Sequence, residues 1–431
     1  MSKILYPMLL FSPFLFALSI QESVDVALKN SPDIKSQKLN YKLSELSYKE
    51  LSSKDYGSFN ALGSYTHFNL PRTLAPLTPA SISSDPTAVA TTKDLMSIGV
   101  AYDVVLFTGF AQKRSLEISS LQKEMADAKL KLSKEQLIYN VKSLYTNILA
   151  LEAQEKAQTQ YIHALHALHV SIENELSLGK KSKLEALKSA ASLEDAKNTH
   201  STIASNITML RASLASLMNV ERVGDLENIS PTLEKITKEK LNVDELERFK
   251  ISAFEMQKSK KNMQKSEASY YPQIGLSGYY GQNFGANDDT NTHTGDWHNE
   301  EIWQAGVNLK WKIYDFGGRS AASQKAKIQA LNAKLKDDKT KLEFKKLLIQ
   351  AHSKIESALH SYKSIQAKLD LLKESEKIEQ IRFDNGASDI NDLLLAKASL
   401  QLAKSQLISV KYQYKTEHFY LQYLLEQGEK K

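Results

Sequence analysis

The sequence predicts an internally duplicated chain of mixed class, in which membrane-spanning β-strands are combined with long α-helices. Segments recur at an offset of about 207 residues, so that Gly179 matches Gly386 and Val100 matches Val307. Strict alternation of apolar and polar residues predicts the strands, and sustained heptads predict helices too long for a compact globular domain. Each copy therefore holds one pair of strands and one helical hairpin.

The alternation is clearest in the last predicted strand, at about residues 302–314. Its apolar face contains Trp303, Val307, Leu309 and Trp311, and its polar face contains Gln304, Asn308 and Lys310. Two tryptophans near opposite ends of one apolar face are typical of the aromatic girdles of membrane barrels. The pattern therefore predicts that the apolar face contacts lipid and that the polar face lines a pore.

Three further strands are predicted at about residues 59–69, 96–107 and 272–284. Four strands cannot close a membrane barrel, because the smallest known type has about eight. Open strand edges are not tolerated in lipid, where no water pairs their peptide groups. If these strands span a membrane, several chains must pool them, so the sequence implies an oligomer.

Two long helical hairpins follow the strand pairs, and each turns near a glycine, which suits the left-handed residue after a helix end. Ser182 or Ser388 is expected to begin the return helix. The predicted boundaries are a first repeat at 20–220, with its hairpin at about 111–219 and its tip at 178–187, a connector at 221–242, and a second repeat at 243–431, with its hairpin at about 319–425 and its tip at 385–394.

The N-terminal segment 1–19 has the features of a secretory signal peptide, including a small residue at both Ala17 and Ser19. The alternative is a membrane anchor, but Pro7 and Pro13 interrupt an already short apolar run. The chain has no cysteine, which excludes thiolate metal sites and cysteine nucleophiles. Its 56 basic and 50 acidic residues are interleaved, which argues against nucleic-acid binding.

Three local segments, taken with the duplication, carry a family resemblance. They are Tyr270-Tyr271-Pro272 entering a strand, Asp315-Phe316-Gly317-Gly318-Arg319 leaving one, and the turn from Gly386 to Leu394. Over about residues 20–425 the chain resembles the TolC-like family of outer-membrane efflux and secretion channels. The resemblance implies a homotrimer, with a transmembrane β-barrel of about 12 strands that is continued by a long periplasmic α-helical barrel.

The resemblance also implies partners and a gate. The helical ends would meet a periplasmic adaptor (membrane fusion) protein and, through it, an inner-membrane transporter, while outer-membrane lipid would surround the barrel. A family aspartate that lines a closed iris matches Asp392, and Glu185 is its counterpart in the first repeat. A second family aspartate is replaced by Leu395. The residues expected to form the tip turns and contact the adaptor are Gly179, Lys181, Ser182, Leu187, Gly386, Ser388 and Leu394.

A physical argument for the gate stands beside the resemblance. Symmetry-related carboxylates in a constriction repel one another and bind cations. The alternative is that Asp392 only favours the N-terminal dipole of its helix.

The sequence therefore predicts an outer-membrane channel of a tripartite efflux pump, which conducts passively, is not an enzyme and needs no cofactor. The alternatives are the conduit of a type I protein secretion system, or a periplasmic coiled-coil adaptor or structural envelope protein. A metal site is not expected. The histidines His163, His166 and His169 are spaced by three, but their repeat counterparts are Asp370, Lys373 and Glu376, which favours a solvated helix face.

Overall fold

The computed structural model describes residues 17–84, 89–229, 233, 243–286 and 297–428. The chain forms two compact units. The helical unit consists of Met1–Leu39, Ala128–Lys250 and Lys339–Lys431, and the sheet unit consists of Asn40–Asp127 and Ile251–Asp338.

Eight α-helices and four β-strands are found in the described ranges. In chain order they are α1 (Ile20–Asn30), α2 (Pro32–Ser53), β1 (Ser58–Thr73), α3 (Pro79–Ser84), β2 (Thr91–Phe107), α4 (Ala111–Ser177), α5 (Lys183–Met218), α6 (Glu247–Glu267), β3 (Gln273–Ala286), β4 (Trp297–Lys310), α7 (Gly318–Asp384) and α8 (Ile390–Leu424). None of the helices in these ranges carries an apolar stretch long enough to cross a membrane.

The duplication is visible in the lengths of these elements. Helices α4 and α7 both have 67 residues, and α5 and α8 have 36 and 35. At about 1.5 Å per residue, each first arm is about 100 Å long. Two helices precede β1 and one precedes β3, and the sequence patterns did not predict them. In the lysine-rich α6 the apolar positions are too sparse for a heptad pattern.

The four strands form one antiparallel sheet in the order β1-β2-β3-β4. The strands are close to the predicted ranges, but β4 ends at Lys310, so Trp311 lies outside the strand on which it was predicted. Lys310 pairs with Gln273, and the residue that precedes Gln273 on the partner strand β3 is Pro272, which has no N–H to continue the ladder. The Trp311 indole N–H instead donates to the Tyr270 carbonyl at 3.1 Å.

The helical unit contains the main apolar cores. One core packs α1 and α4 against α5, with Val141, Tyr145, Ile148 and Leu214 all fully buried. A second core packs α7 and α8 against the start of α6, where the Phe249 and Phe344 rings meet edge to face. Several apolar residues that recur at heptad spacing in the sequence, such as Val141, Ile148 and Phe344, are buried in these cores.

A third core joins the two hairpin tips within the helical unit. Leu168 and Ile172 near the end of α4 pack against Phe383 at the end of α7 and against Ile390 and Leu393 at the start of α8. Ile390 and Leu393 are 1% and 0% exposed. The two tips therefore pack against each other through buried apolar side chains.

The predicted signal segment and connector fall mostly on residues outside the described ranges, which include neither 1–16 nor most of 230–242. Leu18, however, forms a parallel bridge with Leu226, and Ser19 caps α1 through a reciprocal bond with Glu22. Removal of the whole segment 1–19 would delete both contacts.

Candidate functional sites: the sheet and the hairpin tips

The apolar face of the sheet is continuous across the strands. Trp303 of β4 pairs with Tyr280 of β3, which pairs in turn with Val100 of β2. Trp303, Val307 and Leu309 are 70%, 66% and 65% exposed. An uncovered apolar surface of this extent is unusual on a monomeric soluble protein and marks a surface that another apolar medium covers.

The opposite face of β4 carries the residues predicted to line a pore, Gln304, Asn308 and Lys310. The Asn308 side-chain amide donates to the Ser277 hydroxyl at 2.9 Å, which links β4 to β3 on this face. Gln304 lies beside Tyr279 in the register. The two faces of β4 therefore differ in polarity as the alternation predicts.

Both edges of the sheet are open. Strand β1 has 16 residues and β4 has 14, and neither pairs with a further strand among the described residues. Long open edges present rows of free N–H and C=O groups that pair readily with another chain. The sheet is thus incomplete as a single copy.

The first arm of each hairpin ends in the same backbone motif. Gly179 and Gly386 both have φ of +71°, a left-handed conformation that costs a residue with a side chain roughly 1–2 kcal/mol. Two backbone bonds close each helix end, as in a Schellman motif. They run from Gly179 to Leu176 and from Lys180 to Glu175 in the first tip, and from Gly386 to Phe383 and from Ala387 to Arg382 in the second.

The return helix of the first hairpin begins at Ser182, as predicted. The Ser182 hydroxyl accepts a bond from the Glu185 N–H at 3.2 Å, and the Glu185 carboxylate accepts one from the Ser182 N–H at 2.8 Å. This is a capping box. The bond from the Ser182 backbone, then that from its hydroxyl, and the nearby Lys181 ammonium at 3.3 Å hold the pKa of Glu185 below its usual value. Glu185 is thereby occupied in capping α5, which weakens its candidacy for a gate.

The return helix of the second hairpin begins differently from the prediction, because Asp389 rather than Ser388 is its cap. The Asp389 carboxylate accepts bonds from the N–H groups of Asn391 and Asp392, at 2.6 and 3.2 Å, which lower its pKa. The Ser388 hydroxyl donates to Glu379 instead. Asp389 lies 207 residues after Ser182, so the repeat offset could have predicted from the sequence that Asp389 is the helix cap.

Asp392 occupies the same helix position as Glu185 but is left free. Its side chain is exposed, and the carboxylate makes no hydrogen bond or ion pair with the described residues of the chain. Its side chain is one methylene shorter than that of Glu185, and the cap before it is a carboxylate with no proton to donate. The acid at the repeated position therefore caps a helix in the first tip, whereas in the second tip its carboxylate is exposed to solvent.

One contact between the tips was not predicted from the sequence. The Lys181 ammonium lies 3.8 Å from the centre of the Phe383 ring, a cation–π contact. Lys181 is largely buried, with 15% of its side chain exposed. Next to it a groove of about 470 Å³ lies between the ends of α4 and α7, lined partly by Glu175, Lys180 and Asn385.

The remaining candidates have structural roles or none. The His169 ring nitrogen Nδ1 lies 2.8 Å from the Ser189 hydroxyl, which joins α4 to α5, while His163 and His166 are exposed. Within the described ranges, no three His, Cys, Asp or Glu side chains are grouped so as to hold a metal ion.

Comparison with known proteins shows which family has this combination of a four-stranded sheet and two long helical hairpins. A model of the outer membrane efflux protein family matches residues 24–220 and 248–425, which cover most of both repeats. The chain belongs to the outer membrane efflux protein family.

Solved structures share the fold of this efflux protein over nearly its whole length. A membrane protein from Pseudomonas aeruginosa superposes with a TM-score of 0.81 at 14% identity, covering 95% of this chain and 92% of that one. The outer membrane protein VceC of Vibrio cholerae gives 0.78 at 13% identity, covering 94% and 96%. The open state of the MtrE outer membrane channel of Neisseria gonorrhoeae gives 0.76 at 17% identity, covering 95% and 89%.

A curated relative matches over a shorter stretch. Nodulation protein T of Rhizobium leguminosarum bv. trifolii is 28% identical over 149 residues, which is 33% of this chain and only 29% of that protein.

Family membership sets the class and the location of the protein. It is an outer-membrane efflux channel that extends into the periplasm, and its fold is that of the trimeric TolC-like channels. The family is one of channels rather than of enzymes. The periplasmic adaptor and the structural envelope protein considered from the sequence are thereby set aside.

The exposed apolar face generates one prediction. Replacement Val307→Lys places a charge at the middle of that face, which costs about 2–4 kcal/mol at the centre of a bilayer. We expect the variant to be lost from the outer-membrane fraction, measured by fractionation and immunoblotting. Asn308→Lys, one residue along on the polar face, is the matched control and should assemble normally. Equal recovery of the two variants would contradict the assignment of the faces.

The two tips generate a second prediction. Glu185→Ala removes the carboxylate that accepts the Ser182 N–H, one of the two bonds of the capping box, and should cost about 1 kcal/mol, seen as a lower thermal midpoint of the purified protein. Asp392→Ala, at the same position of the other repeat, should leave the midpoint unchanged.

The Glu185 effect should also depend on pH. Because its folded pKa is lowered, the stabilisation is complete above the unfolded value of about 4.3 and is lost as the pH falls through the folded pKa. The difference between wild type and Glu185→Ala should therefore close in acid. A difference that grows in acid, or an equal loss in Asp392→Ala, would show that the cap assignment is wrong.

Proposed function

We propose that three copies of this chain form the outer-membrane conduit of a tripartite efflux pump, passing solutes from an inner-membrane transporter through a periplasmic adaptor to the outside. The observation that carries this proposal is the sheet with two open edges and one exposed apolar face. Pairing β4 of one copy with β1 of the next removes every edge when the ring closes, which is the condition for a sheet to span lipid. Three copies would pool about 12 strands.

Exposed apolar residues on the helices of the sheet unit support the same assembly. On α7, Ile328, Leu331 and Leu335 are 59%, 56% and 65% exposed at heptad spacing. On α2, Leu43 and Leu46 are 61% and 49% exposed. Stripes of this kind are the seams of coiled coils, so neighbouring copies would cover them when the helices close into a barrel.

In this assembly the two faces of the sheet have different surroundings. Trp303, Val307 and Leu309 contact lipid, and Trp311 lies just beyond the strand end, at the level where indole rings meet the membrane interface. The polar residues Gln304, Asn308 and Lys310 line the water-filled path, and a lumen of this polarity suits passive conduction.

The gate is assigned to Asp392 alone. Three copies would bring three exposed Asp392 carboxylates around one axis, where mutual repulsion and bound cations control the opening. Glu185 has no such freedom, because its carboxylate closes the capping box and pairs with Lys181. Of the two equivalent positions in the repeats, only one therefore supplies an acid to the gate, so each chain contributes one carboxylate.

The surface that binds the adaptor is assigned to the hairpin tips. Leu187 is 58% exposed, whereas Leu394 is partly buried against the tip core. The turn residues Gly179 and Gly386 have no neighbour within 4 Å of a built Cβ, so both turns are open to a partner. The groove beside Lys181 offers cationic, amide and aromatic groups for the same contact.

The experiment compares a strain that lacks this gene with strains that carry wild type, Val307→Lys or Asn308→Lys. Susceptibility to antibiotics, bile salts, dyes and metals is measured together with the oligomeric state of the membrane-extracted protein. We expect a trimer that restores resistance with wild type and Asn308→Lys, but not with Val307→Lys. A wild-type protein that restores export of a secreted polypeptide and no small-molecule resistance would contradict the efflux-pump role and favour type I secretion.

A further inference from the structure

Each repeat leaves its second strand through the same backbone turn, in which two consecutive residues have positive φ. In the first repeat these are Gly109 and Phe110, with φ of +62° and +70°. In the second they are Phe316 and Gly317, with φ of +53° and +91°. The left-handed region is unfavourable for a residue with a side chain, so the turn itself favours glycine at both positions. The glycine and the aromatic residue have nevertheless exchanged places between the repeats.

In the first repeat this turn packs against the turn that leads into β3. A Cβ built on Gly109 would lie 2.4 Å from the Ala268 carbonyl oxygen and 2.7 Å from the Tyr271 Cβ, which is closer than real Cβ atoms approach. The ring of Phe110 meets the Tyr271 ring edge to face, with the centroids 6.4 Å apart. Gly109 therefore has no room for a side chain, because the turn before the neighbouring strand lies directly against it.

In the second repeat the same position carries Phe316, whose ring is uncovered. Among the described residues no strand follows β4, so the chain itself provides no turn for this ring to pack against. Phe316 is 91% exposed, the highest fraction of any large apolar side chain in the described ranges. Its ring meets that of Tyr314 at 4.8 Å, and Tyr314 is itself 72% exposed. Exposed aromatic residues grouped in this way at an open edge indicate an interaction surface.

The turn before β1 has the same closure as the turn before β3. A backbone N–H closes a 3₁₀ turn in each, from Gly57 to the Lys54 carbonyl and from Tyr271 to the Ala268 carbonyl. Glycine thus replaces tyrosine at this position, and the turn before β1 has no side chain where the turn before β3 has the Tyr271 ring. The adjacent Tyr56 is 80% exposed. Because the strands are antiparallel, β1 begins at the end of the sheet where β4 ends.

We propose that Phe316 of one copy packs against Tyr56 and Gly57 of the next copy and closes the junction between them at this end of the sheet. The proposal rests on the proposed function, in which β4 of one copy pairs with β1 of the next. That pair repeats the arrangement of β2 and β3, so the turn after β4 meets the turn before β1. Large and small residues are then exchanged, since Gly109 packs against Tyr271 within a chain and Phe316 packs against Gly57 between chains.

The direction of the side chain favours a second copy over lipid as the cover of Phe316. A Cβ built on Gly109 points along the sheet, at the Ala268 carbonyl and Tyr271 of the neighbouring strand. The φ of Phe316, +53°, is close to the +62° of Gly109. A side chain at this position is therefore directed towards the place of the next strand, which in the closed barrel belongs to the next copy.

The test compares Phe316→Gly with the matched control Phe110→Gly. Each replacement gives its turn two consecutive glycines, which suit the positive φ values, so both variants are expected to fold. The temperature at which the membrane-extracted trimer separates into monomers is measured for each. We expect it to fall by several degrees in Phe316→Gly, because three aromatic contacts between copies are lost. Phe110→Gly should match wild type, since the contacts of Phe110 lie within one copy.

A cross-link tests the pairing of residues directly. The chain has no native cysteine, so Phe316→Cys can be combined with Tyr56→Cys or, as the control, with His67→Cys further along β1. Membranes are treated with a bifunctional thiol reagent shorter than the roughly 14 Å between the outer strands of one sheet, so only residues of different copies are joined. We expect a covalent species of three chains with Tyr56→Cys and none with His67→Cys or with the single variants.

The failure of this proposal is distinguishable from the failure of the proposed function. A wild-type trimer in which Phe316→Gly separates at the same temperature as Phe110→Gly would show that lipid or solvent, rather than a second copy, surrounds the ring. A wild-type trimer in which the Tyr56→Cys pair stays unlinked would likewise overturn the proposal. In both cases the conduit itself stands. Wild type that is extracted as a monomer contradicts the proposed function, and the junction fails with it.

Discussion

Backbone groups at the edge of a sheet must find partners, and this constraint governs the rest of the molecule. Strands β1 and β4 are long and open on their outer sides, and one face between them is apolar and exposed. In lipid each unpaired peptide group costs several kcal/mol, so such a sheet is stable only when its edges are joined. The exposed leucines and isoleucines on α2 and α7 follow the same logic, because the described part of the chain leaves them uncovered too. A single copy is therefore a segment of a ring.

The duplication supplies the symmetry of that ring but does not make its parts equivalent. Both tips use a glycine in the left-handed region and the same pair of closing bonds. At the next step they diverge, since Ser182 and Glu185 form a capping box while Asp389 caps its helix alone and leaves Asp392 free. One repeat thus keeps its acid for stability, and the other presents it to solvent. The two tips therefore differ in structure at a position where the repeat permits two ways of capping the return helix.

Much of this architecture can be predicted from the sequence because its signals are periodic. Alternation in β4 and heptads in α4 and α7 depend on local spacing, and spacing is preserved in the fold. The end of β4 was missed because it depends on Pro272, a residue of the partner strand that lacks an N–H. The capping bond of Glu185 was not predicted, because an acid at that position is equally compatible with a cap and with a gate. The contact of Lys181 with Phe383 joins residues far apart along the chain, which no local pattern reveals.

The most direct test of the central claim is a cross-link between the two open edges. The chain has no native cysteine, so Asn60→Cys on β1 can be combined in turn with Gln304→Cys, Gly306→Cys or Asn308→Cys on β4. Within one copy these edges are three strands apart, about 14 Å at the usual spacing, which is too far for a disulfide. Oxidation in membranes should give a covalent species of three chains for at least one pair and for none of the single variants. Only monomers for every pair, in protein that reaches the outer membrane, would contradict the account.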